Sequence, residues 1–332
     1  MESAVCAAGG LLAYLNETQK NALEHISSIR VYHRSSYMML DETTRRNLEL
    51  TQSLREGKQS KKSTLLGLLD RTKTAMGGRL LRSWIAQPLI DKAAIERRLS
   101  CVKALSGNVI LRGELSAELD QIYDLERICS KIAYGSLNAR DALSLKNSLA
   151  ALPALCQSLS NTKNPGLQAL SGSIDLLEDV RKILEEAIAE DPPAIITEGG
   201  IIKNGYNAEV DRLRTAATNG RQWVVELEQK EREQTGIKNL KISYNKVFGY
   251  YIEVTRSYFS QVPARYERRQ TLANAERFIT PELKELEETI LGAQERLVAL
   301  EYQVFSALRE LLCAQIVRIQ KTSAAVAAAD CL

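Results

Sequence analysis

The sequence predicts a mainly α protein: an irregular helical core domain, plus a long antiparallel two-helix lever that carries a small antiparallel β domain at its tip. Three observations predict this. Leu, Ala, Glu, Lys and Arg dominate the 332 residues and aromatics make up only 5%, a bias toward helix. Two stretches repeat apolar residues at alternating spacings of three and four. They are Val210, Leu213, Ala217, Gly220, Val224, Leu227, and Leu286, Ile290, Ala293, Leu297, Leu300, Val304, Ala307, Leu311. Between them, Leu240 to Thr280 is strand-like, aromatic and basic, and holds five of the twelve tyrosines: Tyr244, Tyr250, Tyr251, Tyr258 and Tyr266. The expected organisation is core and descending helix over 1–220, the small β domain over 221–280, and a returning helix over 281–332.

The elements follow in order. Ala4 to Ser28 has leucines at near-helical spacing. Arg30 to Leu40 mixes β-branched and aromatic residues around Ser35-Ser36 and reads as a hairpin. Asp41 caps a helix over TTRRNLELTQSL. Thr64 to Ile85 reads as two helices around a turn, Pro88 stops the second, and Asp91 caps the next. Amphipathic helices continue over 112–133, 138–159 and 174–190, with breaks at Asn164-Pro165-Gly166 and Pro192-Pro193. IITEGGIIKNGY is a turn-linked extended piece. The first seam then runs to Gly236, a helix C-cap residue. LKISY and YYIEVTR are two strands: Leu240, Ile242 and Tyr244 share one face of the first, and Tyr250, Ile252 and Val254 one face of the second. Asn245 to Gly249 connects them. Thr280 caps and Pro281 opens the last helix. Two such seams flanking a sheet are expected to pair antiparallel.

Composition sets limits on function. Apolar residues at 45% and charged residues at 26% are ordinary for a soluble globular protein. Six scattered cysteines without a CxxC pair read as reduced, in a cytoplasmic protein. No apolar run reaches transmembrane length. The start lacks a basic n-region and reads as a truncation rather than a signal peptide. His25 and His33 are too few for a metal site, and Asp and Glu show no ligand spacing. Gly77-Gly78 is not followed by Lys and Ser/Thr, so it is no phosphate loop; helix packing is its expected role. The acids of ELKELEE read as a solvated helix face, and Trp84 and Trp223 as packing residues. No enzymatic constellation is visible.

Charge is informative. From Lys238 to Arg277 there are eight Lys/Arg and three acids, whereas the whole chain is only +3, so the remainder is slightly acidic. A small basic sheet suits a polyanion. The cations are Lys238, Lys241, Lys246, Arg256, Arg265, Arg268, Arg269 and Arg277, with Asn245, Gln270, Thr271 and Asn274 as neutral donors. Some of the cations, Arg277 among them, are equally suited to structural pairs, and the tyrosines to a small core.

The motifs DETTRRNLEL (41–50), LLDRTKTAMGGRLLRSWIAQPL (68–89), GYNAEVDRLR (205–214), EREQTGIKNLKISYNKVFGYYIEVTR (231–256) and RRQTLANAERFITPELKELEE (268–288) resemble the MutS family of DNA mismatch repair proteins in its bacterial form. The resemblance is dense and ordered from about residue 4 onward and covers only the middle of that family, its core, lever and clamp. It implies that levers connect a DNA clamp to distant ATPases, and that the clamps of two subunits, a homodimer, close around duplex DNA. The ATP and Mg2+ that the resemblance implies belong to a part of the family this sequence does not match, so no cofactor is expected here. Neither are the mismatch-reading and connector domains of that family matched. It also implies non-specific backbone contacts at Asn245-Lys246 and Arg269 to Asn274. Together with the local charge, the candidate DNA-binding residues are Lys241, Asn245, Lys246, Arg268, Arg269, Gln270, Thr271 and Asn274. Neither a catalytic residue nor a membrane partner is expected. The alternative is a coiled-coil scaffold whose basic tip binds a protein.

Overall fold

The computed structural model describes residues 2–18, 36–54, 63–245, 249–272 and 274–332. It divides into two compact units, Met1–Ala194 with Ser306–Leu332, and Ile195–Phe305.

The first unit is helical. After α1 (Glu2–Thr18) come α2 (Glu42–Asn47), α3 (Leu65–Leu69), α4 (Ala75–Ala86), α5 (Lys92–Ser106), α6 (Val109–Leu119), α7 (Leu125–Ala133), α8 (Ala139–Ser160), α9 (Pro165–Ser173) and α10 (Glu178–Ala187), and α13 (Ile316–Cys331) closes it. Its core is aliphatic: Leu145, Leu149, Leu152 and Leu155 of α8, with Met76, Ile319 and Val326, are almost wholly buried. Polar side chains cap the helices. Asp41 Oδ1 accepts from Thr44 N (2.7 Å) and Asp91 Oδ2 from Ala94 N (2.9 Å), as expected. The Gly77-Gly78 motif lies in the first turn of α4. The Asp330 carboxylate of α13 accepts from Lys73 N (2.8 Å), Thr74 N (2.8 Å) and Thr74 Oγ1 (2.7 Å). A Cβ on Gly77 would collide with that carboxyl group, so glycine lets α13 approach.

Several expectations in this unit need correction. The helix after Asp41 stops at Asn47, because Glu49 turns left-handed (φ 46°) and its Oε1 accepts from Leu54 N (2.6 Å). The span 112–133 is two helices, with Asp124 capping the second through Arg127 N (3.1 Å). Asn164-Pro165-Gly166 opens a helix: Asn164 Oδ1 caps α9 and proline sits in its first turn. The expected hairpin at 30–40 and the helix beyond Thr18 fall largely outside the described residues. What is described there is a single bridge, Tyr37 to Leu89. His25 and His33 are also outside.

The second unit consists of α11 (Ala208–Thr235), β1 (Lys241–Asn245), β2 (Gly249–Thr255), β3 (Glu267–Thr271), β4 (Ala275–Ile279) and most of α12 (Pro281–Cys313). Asn207 caps α11 and Gly236, at φ 70°, ends it. Thr280 Oγ1 accepts from Leu283 N (3.2 Å) at the start of α12. The two helices are antiparallel. Arg214 meets Glu301 (2.7 Å) and Lys230 meets Glu282 (3.8 Å). Between them Gly220 touches Ile290 so closely that a Cβ would overlap its side chain.

The paired seam holds over Val210, Gly220, Val224, Ile290 and Leu297, all buried. Beyond Leu297 it shifts by one residue. Glu301, Phe305, Leu308 and Leu312 are buried there, whereas Leu311 is 54% exposed. A straight helix repeats every 3.6 residues, so a strict heptad drifts by about 20° per seven residues and leaves the contact face.

Four strands form one antiparallel sheet in the order β1-β2-β4-β3. The sequence showed the first two as separate strands; β3 and β4 complete the sheet. Ile252, Val254, Tyr266 and Phe278 pack with Ile237, Leu240 and Leu283 beneath it, and Ile242, Tyr250 and Tyr258 border this core. Tyr244 does not join them. It is 48% exposed and leans on Tyr250, ring centroids 5.0 Å apart. Trp84 is half-buried under the Arg98 guanidinium (3.6 Å), but Trp223 is exposed, contrary to the packing role expected of it.

Candidate nucleic-acid interface

Strand register decides what each basic residue can do. Ile252 faces Phe278 on the core side, so alternate residues form the outer face. Lys241 is opposite Glu253, Glu253 opposite Arg277, and Arg277 opposite Gln270, giving one row across all four strands. Arg277 is engaged within it. Its Nε lies 3.3 Å from Glu253 Oε2, its Nη1 donates to Gln270 Oε1 (2.8 Å), and its guanidinium lies over Tyr251 (4.2 Å). Cross-strand opposite charges of this kind stabilise a sheet.

Two other arginines are also held. Arg268 Nε lies 3.0 Å from the Glu276 carboxylate, which is nearly buried on the core side. Arg265 Nη2 donates to Glu231 Oε2 (2.8 Å), which also accepts from Tyr266 OH (2.7 Å). Glu231 is fully buried. Burial and that carboxylate together push the Tyr266 hydroxyl well above its ordinary range. This anchor, which pins the segment before β3 to α11, was not read from the sequence. Glu231 and Tyr266 are 35 residues apart, and neither spacing nor composition joins them.

Of the five remaining cations, four are among the described residues. Lys238, Lys241, Arg256 and Arg269 are exposed. Among the described residues, no carboxylate is ion-paired with any of them. Arg269 occupies the irregularity in β3, where the register shifts between Arg268 and Gln270. Such a bulge turns a side chain out of the ladder. Thr271 and Asn274 are exposed beside it, and Asn274 O accepts from Arg256 N (3.1 Å). Lys246 lies outside the described residues.

The candidates do not form one cluster. Asn245 pairs with Gly249, while Thr255 pairs with Ala275. Asn245, the last residue of β1, is therefore at one end of the sheet. By strand rise Lys241 and Gln270, in the Glu253–Arg277 row, are about 13 Å from that end, and Thr271, Asn274 and Arg256 are about 17–20 Å from it. At the first end Glu287 of α12 accepts from Tyr250 N (3.3 Å).

Among the described residues no group of three His, Cys, Asp or Glu side chains could hold a metal ion. Nor is any helix long and apolar enough to cross a membrane.

A family model described as MutS domain III matches residues 43–332. The chain is 53% identical over 330 residues to the DNA mismatch repair protein MutS of Desulforamulus reducens, covering 99% of this chain and 38% of that protein. It is 54% identical over 331 residues to the MutS of Pelotomaculum thermopropionicum, again 99% of this chain and 38% of the relative. Against the MutS of Symbiobacterium thermophilum it is 50% identical over its whole length, 38% of that protein. The chain thus spans well under half the length of the curated relatives it matches. A mainly helical fold with one small antiparallel sheet, and a family match over most of the sequence, lead to the same statement: the chain belongs to the MutS family and comprises its domain III.

Proposed function

We propose that this chain grips the sugar–phosphate backbone of duplex DNA through the small sheet, a clamp, and that α11 and α12 act as the lever that carries it. The observation that carries this reading is that, among the described residues, four exposed cations on one small sheet and its flanks have no carboxylate partner. Phosphate contacts need such donors, and backbone contacts carry no sequence code. Among the described residues of the strands, the exposed tyrosine, Tyr244, leans on Tyr250 rather than standing free as a wedge for a base stack. Matched and mismatched duplexes should therefore compete equally. Two copies closing on one duplex, and coupling to nucleotide turnover elsewhere in a longer protein, extend the same proposal. ATP and Mg2+ do not fit the residues present: Gly77-Gly78 lies inside α4, and no phosphate loop is in the sequence.

A salt titration of duplex binding tests the grip. Each neutralised phosphate contributes about −0.9 to the log–log slope, so three or four contacts give roughly −3 to −4. Lys246→Ala with Arg269→Ala should flatten the slope by about one unit for each phosphate that is no longer neutralised. Arg277→Gln removes a charge already held by Glu253 and should leave the slope unchanged. A flat slope for the parent protein would return the tip to a protein-binding scaffold. An unchanged slope in the double variant would move the grip to Lys238, Lys241 and Arg256.

A further inference from the structure

The most heavily bonded buried group of the second unit lies away from the sheet. Glu301, in the middle of α12, is fully buried. Its Oε1 accepts from Arg214 Nη2 of α11 (2.7 Å). Its Oε2 accepts from Gly200 N and from Ile201 N (3.3 Å) of the loop before α11. Arg214 continues the network. Nη2 also donates to Ile202 O (2.8 Å), and Nη1 to Asp211 Oδ1 (3.2 Å) and to Asn204 Oδ1. The loop reaches this position through Gly199 and Gly200, both left-handed at φ 74° and 78°. A Cβ on Gly199 would lie 3.1 Å from Val298 of α12. One carboxylate therefore ties together the loop, α11 and α12.

We infer that Glu301 and Arg214 are positioning residues of the lever, a latch that makes α11, α12 and the 195–207 loop move as one piece; the inference rests on the clamp-and-lever reading for its use, though not for its test. The physical reason is the exchange that sliding would demand. Moving α12 past α11 would leave a buried carboxylate and a partly buried guanidinium without partners in a poorly solvated site. Gly220 against Ile290 gives a second close approach, but an apolar one, which fixes spacing rather than register. A lever so latched transmits rotation of the whole pair and resists a piston motion of one helix.

The test is amide hydrogen exchange on the full chain, without DNA, for Glu301→Gln and Arg214→Lys. Glutamine has the same volume but one acceptor oxygen, so it cannot serve both Arg214 and the loop amides. Lysine keeps the charge but loses the planar fork. Each variant should exchange at least tenfold faster over residues 199–204, with the four strands unchanged. The combined variant should be no faster than the worse single change, because the pair acts as a unit. Parent-like exchange at 199–204 in both single variants would overturn the latch. Equal acceleration across the loop and the sheet would also overturn it, by reducing the pair to general stability. Should the salt titration fail while this exchange pattern appears, the latch stands and the DNA reading falls.

Discussion

The two units bury different kinds of polar group. In Met1–Ala194 with Ser306–Leu332, the buried polar side chains among the described residues are hydroxyls: Thr64, Thr74, Ser148, Thr322 and Ser323. In Ile195–Phe305 they are the carboxylates Glu231, Glu276 and Glu301, with Thr280. Each of those carboxylates meets an arginine from another segment: Arg265, Arg268 and Arg214. The difference follows from shape. A bundle of many helices encloses leucines on every side. Two helices and a four-stranded sheet enclose one stripe, and apolar contact along a stripe leaves register free. A charge pair in a poorly solvated site has one good geometry, so it fixes register, although its net contribution to stability is modest. By this account the first unit is stabilised mainly by packing and the second is positioned by pairs.

Cavity substitutions should separate the two most strongly. Leu149→Ala, in α8 and wholly buried, should cost about 3–5 kcal/mol. Leu297→Ala, in the α12 stripe, should cost about 2–3 kcal/mol, because a one-sided site relaxes more easily. Thermal melts followed by unit-specific exchange would read both, since two units need not unfold together. Equal costs would remove the packing half of the comparison.

Arg265→Ala comes next. It leaves Glu231 buried with the Tyr266 hydroxyl as its remaining donor, and should destabilise the second unit by about 3 kcal/mol, the low end for a broken buried pair because Arg265 is itself partly exposed. Tyr266→Phe removes the other donor and should cost about 1–2 kcal/mol. If both changes leave the sheet's exchange and melt unaltered, Glu231 is not an anchor.

How much of this was legible depends on the range of the interaction. Caps at Asp41, Asp91, Gly236 and Thr280 were readable because each acts within a turn of its own position. The tyrosine-rich strands were readable through alternation. β3 was harder to separate, because ERRQT has no apolar alternation: Arg268 faces a buried glutamate, and Arg269 sits in a bulge. The seam was readable as far as Leu297 and misplaced beyond it, where helical drift, invisible in a heptad template, moves the buried face to Glu301 and Phe305. The basic surplus was readable as a sum but not by member. Which of the cations are held depends on register and on Glu231, Glu253 and Glu276, and that information is tertiary. For the same reason Glu301, one residue past the template position Leu300, drew no reading, although it is the group that ties α11 to α12.

The smallest predicted effect is in the first unit and concerns its exposed charges. Arg318 of α13 donates through Nε to Asp175 (2.7 Å) and through Nη1 to Asp179 (2.7 Å). These bonds hold both carboxyls below the usual carboxylate range. A lowered folded pKa stabilises the fold above the unfolded value, near 4, and that contribution is lost as pH falls through the folded value. Both aspartates are more than one-third exposed, at 41% and 55%. Solvent therefore screens the pair, and its contribution at neutral pH should stay below about 1 kcal/mol. Arg318→Ala should lower the melt slightly at pH 7, and the gap to the parent should close as pH drops below about 4. A gap as large as that of Arg265→Ala would mean that exposed pairs in the helical unit matter as much as buried pairs in the second, and the contrast between packing and positioning would fail.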